Sequence, residues 1–329
     1  MKSLLFRDSK FFVNQQLTYY LFNILFKLAY YLPMKQLFII ILLFNFCAIT
    51  FAQIKSTSIT RDSVVNLAAE KESYKLTGRN LVALSEKILF KKTPQLDLYL
   101  FVLRPSGNPK KALPAIVYFF GGGWVSGDVY AQIPVAAWFR DHGIIGITVD
   151  YRIKSLHATT PVECVQDGKS AIRYIRAHAK ELGINPNKII VAGGSAGGHI
   201  AATTAIDGGD ATGEDLSISS KPNALVLHNP VLGEGFGKDF FDFHPEFSPM
   251  LHVNKSWPPT IISNGTKDRI TPYKAAEKFT MLMKQARNSC ELISVKDADH
   301  SCDWPVSNPN FFPTLGRMTD FLKEQKMMK

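Results

Sequence analysis

Five residues limit what this chain can fold into more than any others. Gly193-Gly194-Ser195-Ala196-Gly197 stands directly between an apolar, β-rich run, Lys188–Ala192, and an Ala/Gly-rich stretch, Ala196–Ile206. A serine in that place sits on a tight strand-to-helix turn, where neighbouring side chains would collide with the strand or the helix. Gly193 and Gly197 leave the room. The pattern therefore predicts a strand, a turn that raises Ser195 as a nucleophile, and a helix behind it. A phosphate-binding loop would need Lys-Ser/Thr after its glycines, or G-x-G-x-x-G, and neither is present.

The remaining pattern repeats that unit. Lys87–Lys91 and Leu96–Leu103, separated by Thr93-Pro94-Gln95, read as a hairpin. Strands are expected at Ala115–Phe120, Ile144–Val149, Ala224–Leu227, Thr260–Ser263 and Glu291–Val295. Helices are expected at Ile133–Asp141, Val162–Glu181, Pro272–Gln285 and Thr314–Gln325. Alternating strands and helices predict an α/β fold: a mostly parallel central sheet flanked by helices, with an antiparallel edge. The 46% hydrophobic and 20% charged composition supplies a core for it and excludes a disordered chain.

A serine hydroxyl needs a base to take its proton and donors for the oxyanion it creates. Phe120-Gly121-Gly122-Gly123-Trp124 follows a central strand, and consecutive glycines let backbone N–H groups approach a substrate. The amides of Gly122, Gly123 and Ala196 are the expected donors. Among eight histidines, His300 is the expected base, because it follows the late strand by a short loop and satisfies the chain order serine, acid, histidine. His199 is expected to be structural, and His244 and His252 to be surface or lid residues. Asp268, in Asn264-Gly265-Thr266-Lys267-Asp268, is the expected acid, with Asp297, Asp299 and Asp303 as runners-up. Trp124, His228 and Trp304 are candidate pocket residues, and the segment before Thr260 holds Phe236, Phe240, Phe241, Phe243, Phe247 and Trp257 as a small lid.

These motifs resemble the α/β-hydrolase superfamily, and more narrowly the hormone-sensitive-lipase-like secreted esterases and the bifunctional feruloyl and acetyl (xylan) esterases. The resemblance runs from about Lys87 to Leu322 and rests on FFGGGWVSG, VDYR, AGGSAGGH, NGTKDRITP and DADHS. It implies that Ser195, Asp268 and His300 form a triad and that Asp150, Tyr151 and Arg152 support the strand end through a buried ion pair. Where the lipase-like group carries histidine before the three glycines, this chain has Phe120, which leans the resemblance towards the carbohydrate-acting esterases. The function it implies is hydrolysis of small acyl esters, acetyl or feruloyl, on carbohydrate. The alternatives on the same triad are a general carboxylesterase or lipase-like activity and an amidase or peptidase. A non-catalytic binding protein would be expected to lack Ser195 or His300. No large cap domain and no cofactor are expected.

Upstream, Leu37–Ala52 is a charge-free apolar run preceded by Met34 and Lys35 and closed by Thr50-Phe51-Ala52. That is the build of a signal peptide, with Gln53 as the first mature residue. The run falls short of the roughly 20 apolar residues that span a bilayer. A secreted or periplasmic protein is expected, with an uncleaved membrane anchor as the alternative. The expected division is a leader at 1–52, whose first 33 residues are an upstream extension, a helical segment at 53–86 and a catalytic domain at 87–329. Removing 1–52 lowers the formal charge from +10 to +6. No basic run remains, so the expected partner is a small ester or acylated carbohydrate, not nucleic acid. Cys164, Cys290 and Cys302 show no metal-ligand spacing and read as small core residues, with a Cys290–Cys302 bridge as the alternative.

Overall fold

In the computed structural model, residues 83, 85–107 and 111–329 are described, and all of them fall in one compact unit. The leader and nearly all of the expected helical segment at 53–86 lie outside these residues; Glu86 itself opens the first strand. The hairpin forms as β1 (Glu86–Lys92) and β2 (Asp97–Leu103), antiparallel. Its turn is closed by Thr93, whose N–H donates to the Leu96 carbonyl at 3.0 Å.

Beyond it the chain alternates. In order come β3 (Leu113–Phe119), α1 (Ile133–Asp141), β4 (Ile145–Val149), α2 (Lys154–His157), α3 (Pro161–Ala177), β5 (Ile184–Gly194) and α4 (Ala196–Thr203). Then follow β6 (Ala224–His228), α5 (Lys238–Phe243), α6 (Pro249–His252), β7 (Thr260–Gly265), α7 (Tyr273–Gln285), β8 (Cys290–Val295) and α8 (Phe311–Glu324). The sheet runs β1-β2-β4-β3-β5-β6-β7-β8. Only the β1–β2 and β2–β4 pairings are antiparallel; every later pairing is parallel.

The period-two alternation of β3 divides the core between the two faces. Ala115, Val117 and Phe119 pack with residues of α3, α4 and α7. Ile116 and Tyr118 pack on the other face with residues of α1 and α8. The central strands are therefore covered on both sides, which is why β3, β4 and β6 read as continuous apolar runs rather than as alternating ones.

Three boundaries differ from expectation for local reasons. Helix α3 stops at Ala177 rather than running to Glu181, because the chain turns there and reaches Gly183 at φ +68°. Strand β5 then starts four residues early, with Ile184 paired to Leu113. Helix α8 begins at Phe311 because Pro313 falls in its first turn, where a missing N–H costs nothing. Helix α3 itself is started by a capping box, in which Glu163 Oε2 accepts the Thr160 N–H at 2.8 Å.

The ion pair expected beside β4 joins Arg152 to Asp167 of α3. Arg152 Nε and Nη2 donate at 2.8 and 2.9 Å, and Lys91 Nζ reaches the same carboxylate at 2.9 Å. Tyr151 donates its hydroxyl to the Phe120 carbonyl at 2.7 Å and stacks on the Phe120 ring. The bridge held open between Cys290 and Cys302 is not formed: both are free thiols. Among the described residues no helix is long and apolar enough to cross a membrane.

Candidate active site

The C-terminal ends of the parallel strands bring the chemistry to one rim of the sheet, as open α/β sheets do. Phe120 to Trp124 follows β3, Ser195 follows β5, His228 ends β6, Asp268 follows β7 and His300 follows β8.

Ser195 sits at φ +54°, ψ −119°, a conformation that non-glycine residues seldom adopt. The turn is fixed around it. Its N–H donates to the His228 carbonyl at 2.9 Å, and its carbonyl accepts from Val231 and His199 at 3.1 Å. Gly197 is required by contact, since a Cβ there would run into the carbonyl oxygens of Phe119 and Phe120.

His300 Nε2 lies 3.0 Å from Ser195 Oγ, and His300 Nδ1 lies 2.8 Å from Asp268 Oδ2. The hydroxyl is thus placed to donate to one ring nitrogen while the other donates to the carboxylate. Asp268 Oδ1 accepts the N–H groups of Ile270 and Thr271 at 2.8 and 2.9 Å, and Oδ2 also accepts the Thr271 hydroxyl at 2.8 Å. Burial works against its charge, yet the hydrogen bonds from His300 and Thr271 outweigh it and hold the carboxyl below its ordinary range. It is an ionised acceptor at neutral pH.

The expected donors flank Ser195 in sequence or follow β3. Among the described residues the amides of Gly122, Gly123 and Ala196 have no hydrogen-bond acceptor, with Gly122 and Gly123 at φ +122° and +64°. A cavity of about 240 Å³ opens beside Ser195, His300 and Gly122 and is walled by Val135, Trp304, Phe311 and Leu315. It is smaller than the roughly 300–1,000 Å³ of pockets that take drug-sized ligands.

Of the three candidate pocket residues, His228 and Trp304 line this cavity and Trp124 does not. Trp124 is turned into the protein, stacked on Phe236 at 5.6 Å and edge-on to His199 at 5.2 Å. Several of the expected lid aromatics follow it: Phe240 and Phe241 pack on Trp124 and His199, Phe247 packs on Phe240, and Trp257 packs on Phe279, while Phe243 is exposed. A sheet of apolar rings beside a catalytic loop served packing first. His199 is buried, with Nε2 2.9 Å from the Phe247 carbonyl, and burial brings its pKa down to about 4. Of the runner-up acids, Asp297 pairs with Lys267, Asp299 accepts the Ser301 N–H, and Asp303 pairs with His228 at 2.7 Å.

Sequence reasoning missed Asn229 and Thr271. The Asn229 amide nitrogen lies 3.2 and 3.3 Å from the two ring nitrogens of His300. The Thr271 hydroxyl lies 3.2 Å from His300 Nδ1. Thr271 stands three residues after Asp268, where aspartate side chains take backbone N–H groups in a turn, so a turn reading of DRIT would have found it. Nothing in the sequence marks Asn229.

The BD-FAE family model matches residues 96–226. Esterase LipC of Mycobacterium tuberculosis is 26% identical over 228 residues, covering 61% of this chain and 56% of LipC. The thermophilic esterase Est2 of Thermogutta terrifontis, in its native structure, superposes with a TM-score of 0.70 at 37% identity, covering 75% of this chain and 94% of that one. The same esterase has been solved with propionate bound, and that structure also superposes at 0.70, at 37% identity, over 75% of this chain and 96% of that one. The chain spans about half the length, or less, of the curated relatives it matches. With more than nine tenths of a 37%-identical esterase aligned, the chain belongs to the α/β-hydrolase esterases of the hormone-sensitive-lipase and carboxylesterase type.

Proposed function

We propose that this protein is a serine carboxylesterase that removes small acyl groups, acetyl before feruloyl, from acylated carbohydrate. The observation that carries the reading is the continuous contact from Ser195 Oγ through His300 to Asp268, at 3.0 and 2.8 Å, at the mouth of a small cavity.

The reaction is a two-step acyl transfer. Ser195 Oγ attacks the ester carbonyl as its proton passes to His300 Nε2. The oxyanion meets the amides of Gly122, Gly123 and Ala196, while Asp268 accepts the Nδ1–H of the imidazolium. His300 returns the proton to the departing alcohol, leaving an acyl group on Ser195. Water then attacks the acyl carbonyl, its proton goes to His300, and the carboxylic acid leaves as Ser195 recovers the proton.

The small apolar cavity supports a short acyl group, as does propionate in the Thermogutta esterase. The apolar Phe120 before the glycines, which leans the resemblance towards the carbohydrate-acting esterases, supports carbohydrate over triglyceride. The signal-peptide pattern at 34–52 supports export, with Gln53 as the mature N-terminus. Acid release from acetylated xylan, feruloylated arabinoxylan and a medium-chain triglyceride tests the substrate class: acetylated xylan is expected to turn over fastest, and activity confined to the triglyceride refutes the carbohydrate reading. Export is tested by N-terminal sequencing of the protein from outside the cell, where Gln53 is expected and Met1 would contradict it.

A further inference from the structure

We propose that His228 and Asp303 are positioning residues, a second His–Asp pair that fastens the His300 loop to the nucleophile turn. Asp303 lies three residues beyond His300 in the loop between β8 and α8, and its carboxylate bonds to His228 and Ser263. Oδ2 accepts from His228 Nδ1 at 2.7 Å and from the Ser263 hydroxyl at 2.5 Å. His228 ends β6 and Ser263 lies in β7, so the loop is anchored to two rigid strands of the sheet.

The same histidine holds the nucleophile. Its carbonyl accepts the Ser195 N–H at 2.9 Å, while its ring holds the loop that carries the base. One residue therefore sets where Ser195 stands and, through Asp303, where His300 stands. The next residue adds a strut: Asn229 donates its N–H to the Ser263 carbonyl at 2.7 Å and lays its amide nitrogen against His300.

Two further observations separate this from packing. His228 is 8% exposed, and among the described residues its buried Nε2 has no hydrogen-bond partner. Buried polar atoms are nearly always paired, so a strand end that needed only bulk would be filled by an apolar side chain; the stranded nitrogen is tolerated for the bond that Nδ1 makes. Asp303 is 4% exposed. Burial opposes its charge, but the charge of His228 and the hydrogen bonds from His228, Ser263 and Cys302 keep its carboxyl below the ordinary range. It is a fixed anionic acceptor, suited to holding a loop.

This inference rests on Ser195 and His300 being the reacting pair, and the test separates the two. Wild type, Ser195→Ala, Asp303→Ala, Asp303→Asn and Ser263→Ala, each as the full chain, are assayed on p-nitrophenyl acetate for kcat and KM. Ser195 is titrated with a p-nitrophenyl phosphonate and its capture rate is recorded, and Tm is measured beside both. Asp303→Ala is expected to lower kcat on the order of 100-fold, the scale of a small misplacement of a reacting group, with KM unchanged and phosphonate capture slowed by the same factor. Asp303→Asn keeps an oxygen that can accept from His228 Nδ1 and is expected to bring kcat back to within about tenfold of wild type. Ser263→Ala is expected to lower kcat severalfold at unchanged KM. Wild-type kcat per titrated site in the Asp303 variants, with only Tm reduced, overturns the inference. If Asp303→Ala does not fold, wild-type kcat and capture rate in both Asp303→Asn and Ser263→Ala overturn it equally. A Ser195→Ala protein that keeps full turnover overturns the catalytic reading itself and this inference with it.

Discussion

His300 Nδ1 lies 2.8 Å from Oδ2 of Asp268 although 32 positions of sequence separate them. The carboxylate cannot swing away, because Ile270 and Thr271 hold its other oxygen. An amide in its place would present the wrong hydrogen-bonding partner to Nδ1–H and disfavour the tautomer that accepts the serine proton. Asp268→Asn is therefore expected to reduce kcat on the order of 10,000-fold. Asp303→Asn, acting only through loop position, is expected to cost about tenfold or less, since misplacement effects reach 100-fold only when a reacting group moves by about 1 Å. Steady-state kinetics on p-nitrophenyl acetate rank the two, and the reverse ranking would move the acid to Asp303.

The glycine loop after β3 carries a second prediction. Gly122 stands at φ +122°, and a Cβ there would run into the Ser126 carbonyl oxygen. Gly122→Ala must shift the backbone of a residue that lines the cavity and is proposed as an oxyanion donor, without changing Ser195, His300 or Asp268. Loss of one oxyanion donor costs roughly 100- to 1,000-fold in kcat, and that loss is expected here, with the circular dichroism spectrum retained.

Asp150 supplies a pH prediction for stability. Burial, reinforced by Asp128 and opposed by Lys87 and a hydrogen bond at Tyr99, raises its pKa to about 6. The unfolded chain should show a value near 3.9, typical of aspartate. The folded state then binds this proton more tightly, so stability rises as pH falls through 6 and levels off below about 3.9. At pH 8 the ionised carboxylate is a cost. Asp150→Asn is expected to raise the urea midpoint at pH 8, and the advantage is expected to shrink steadily as pH falls below 6. An equal advantage at all pH values would contradict the assignment.

The aromatics of the glycine loop and of the lid segment differ sharply in what they do. Trp124 is 5% exposed and touches His199, Phe236, Phe240 and Phe241, whereas Phe243 is 82% exposed. Trp124→Ala is expected to destabilise by about 3–5 kcal/mol, and Phe243→Ala by no more than about 0.5 kcal/mol, as read from urea unfolding curves.

Much of the fold was legible because its central strands are buried on both faces and α3 begins at a clear signal. Ala115–Phe120 and Ile133–Asp141 needed only local patterning. Chain order and strand ends also pointed to Ser195, Asp268 and His300, which the fold sets within hydrogen-bonding distance of one another. What sequence reasoning could not supply was the direction of a side chain. Trp124 follows a catalytic loop yet turns inward. Asp303 is three residues from His300 yet serves His228. Asn229 follows no motif and meets His300 only because β6 and the β8–α8 loop converge. Such contacts depend on how separate strand ends are set side by side, and no local pattern encodes that.

The central claim is that Ser195, activated by His300, forms the acyl-enzyme. Mixing the purified protein with excess p-nitrophenyl acetate and following the pre-steady-state release of nitrophenol, with mass analysis of the quenched protein, tests it directly. The wild type is expected to gain one acetyl group on the peptide containing Ser195 and Ser195→Ala to gain none and lose turnover. An acetyl group found on another residue, or undiminished turnover in Ser195→Ala, would contradict the account.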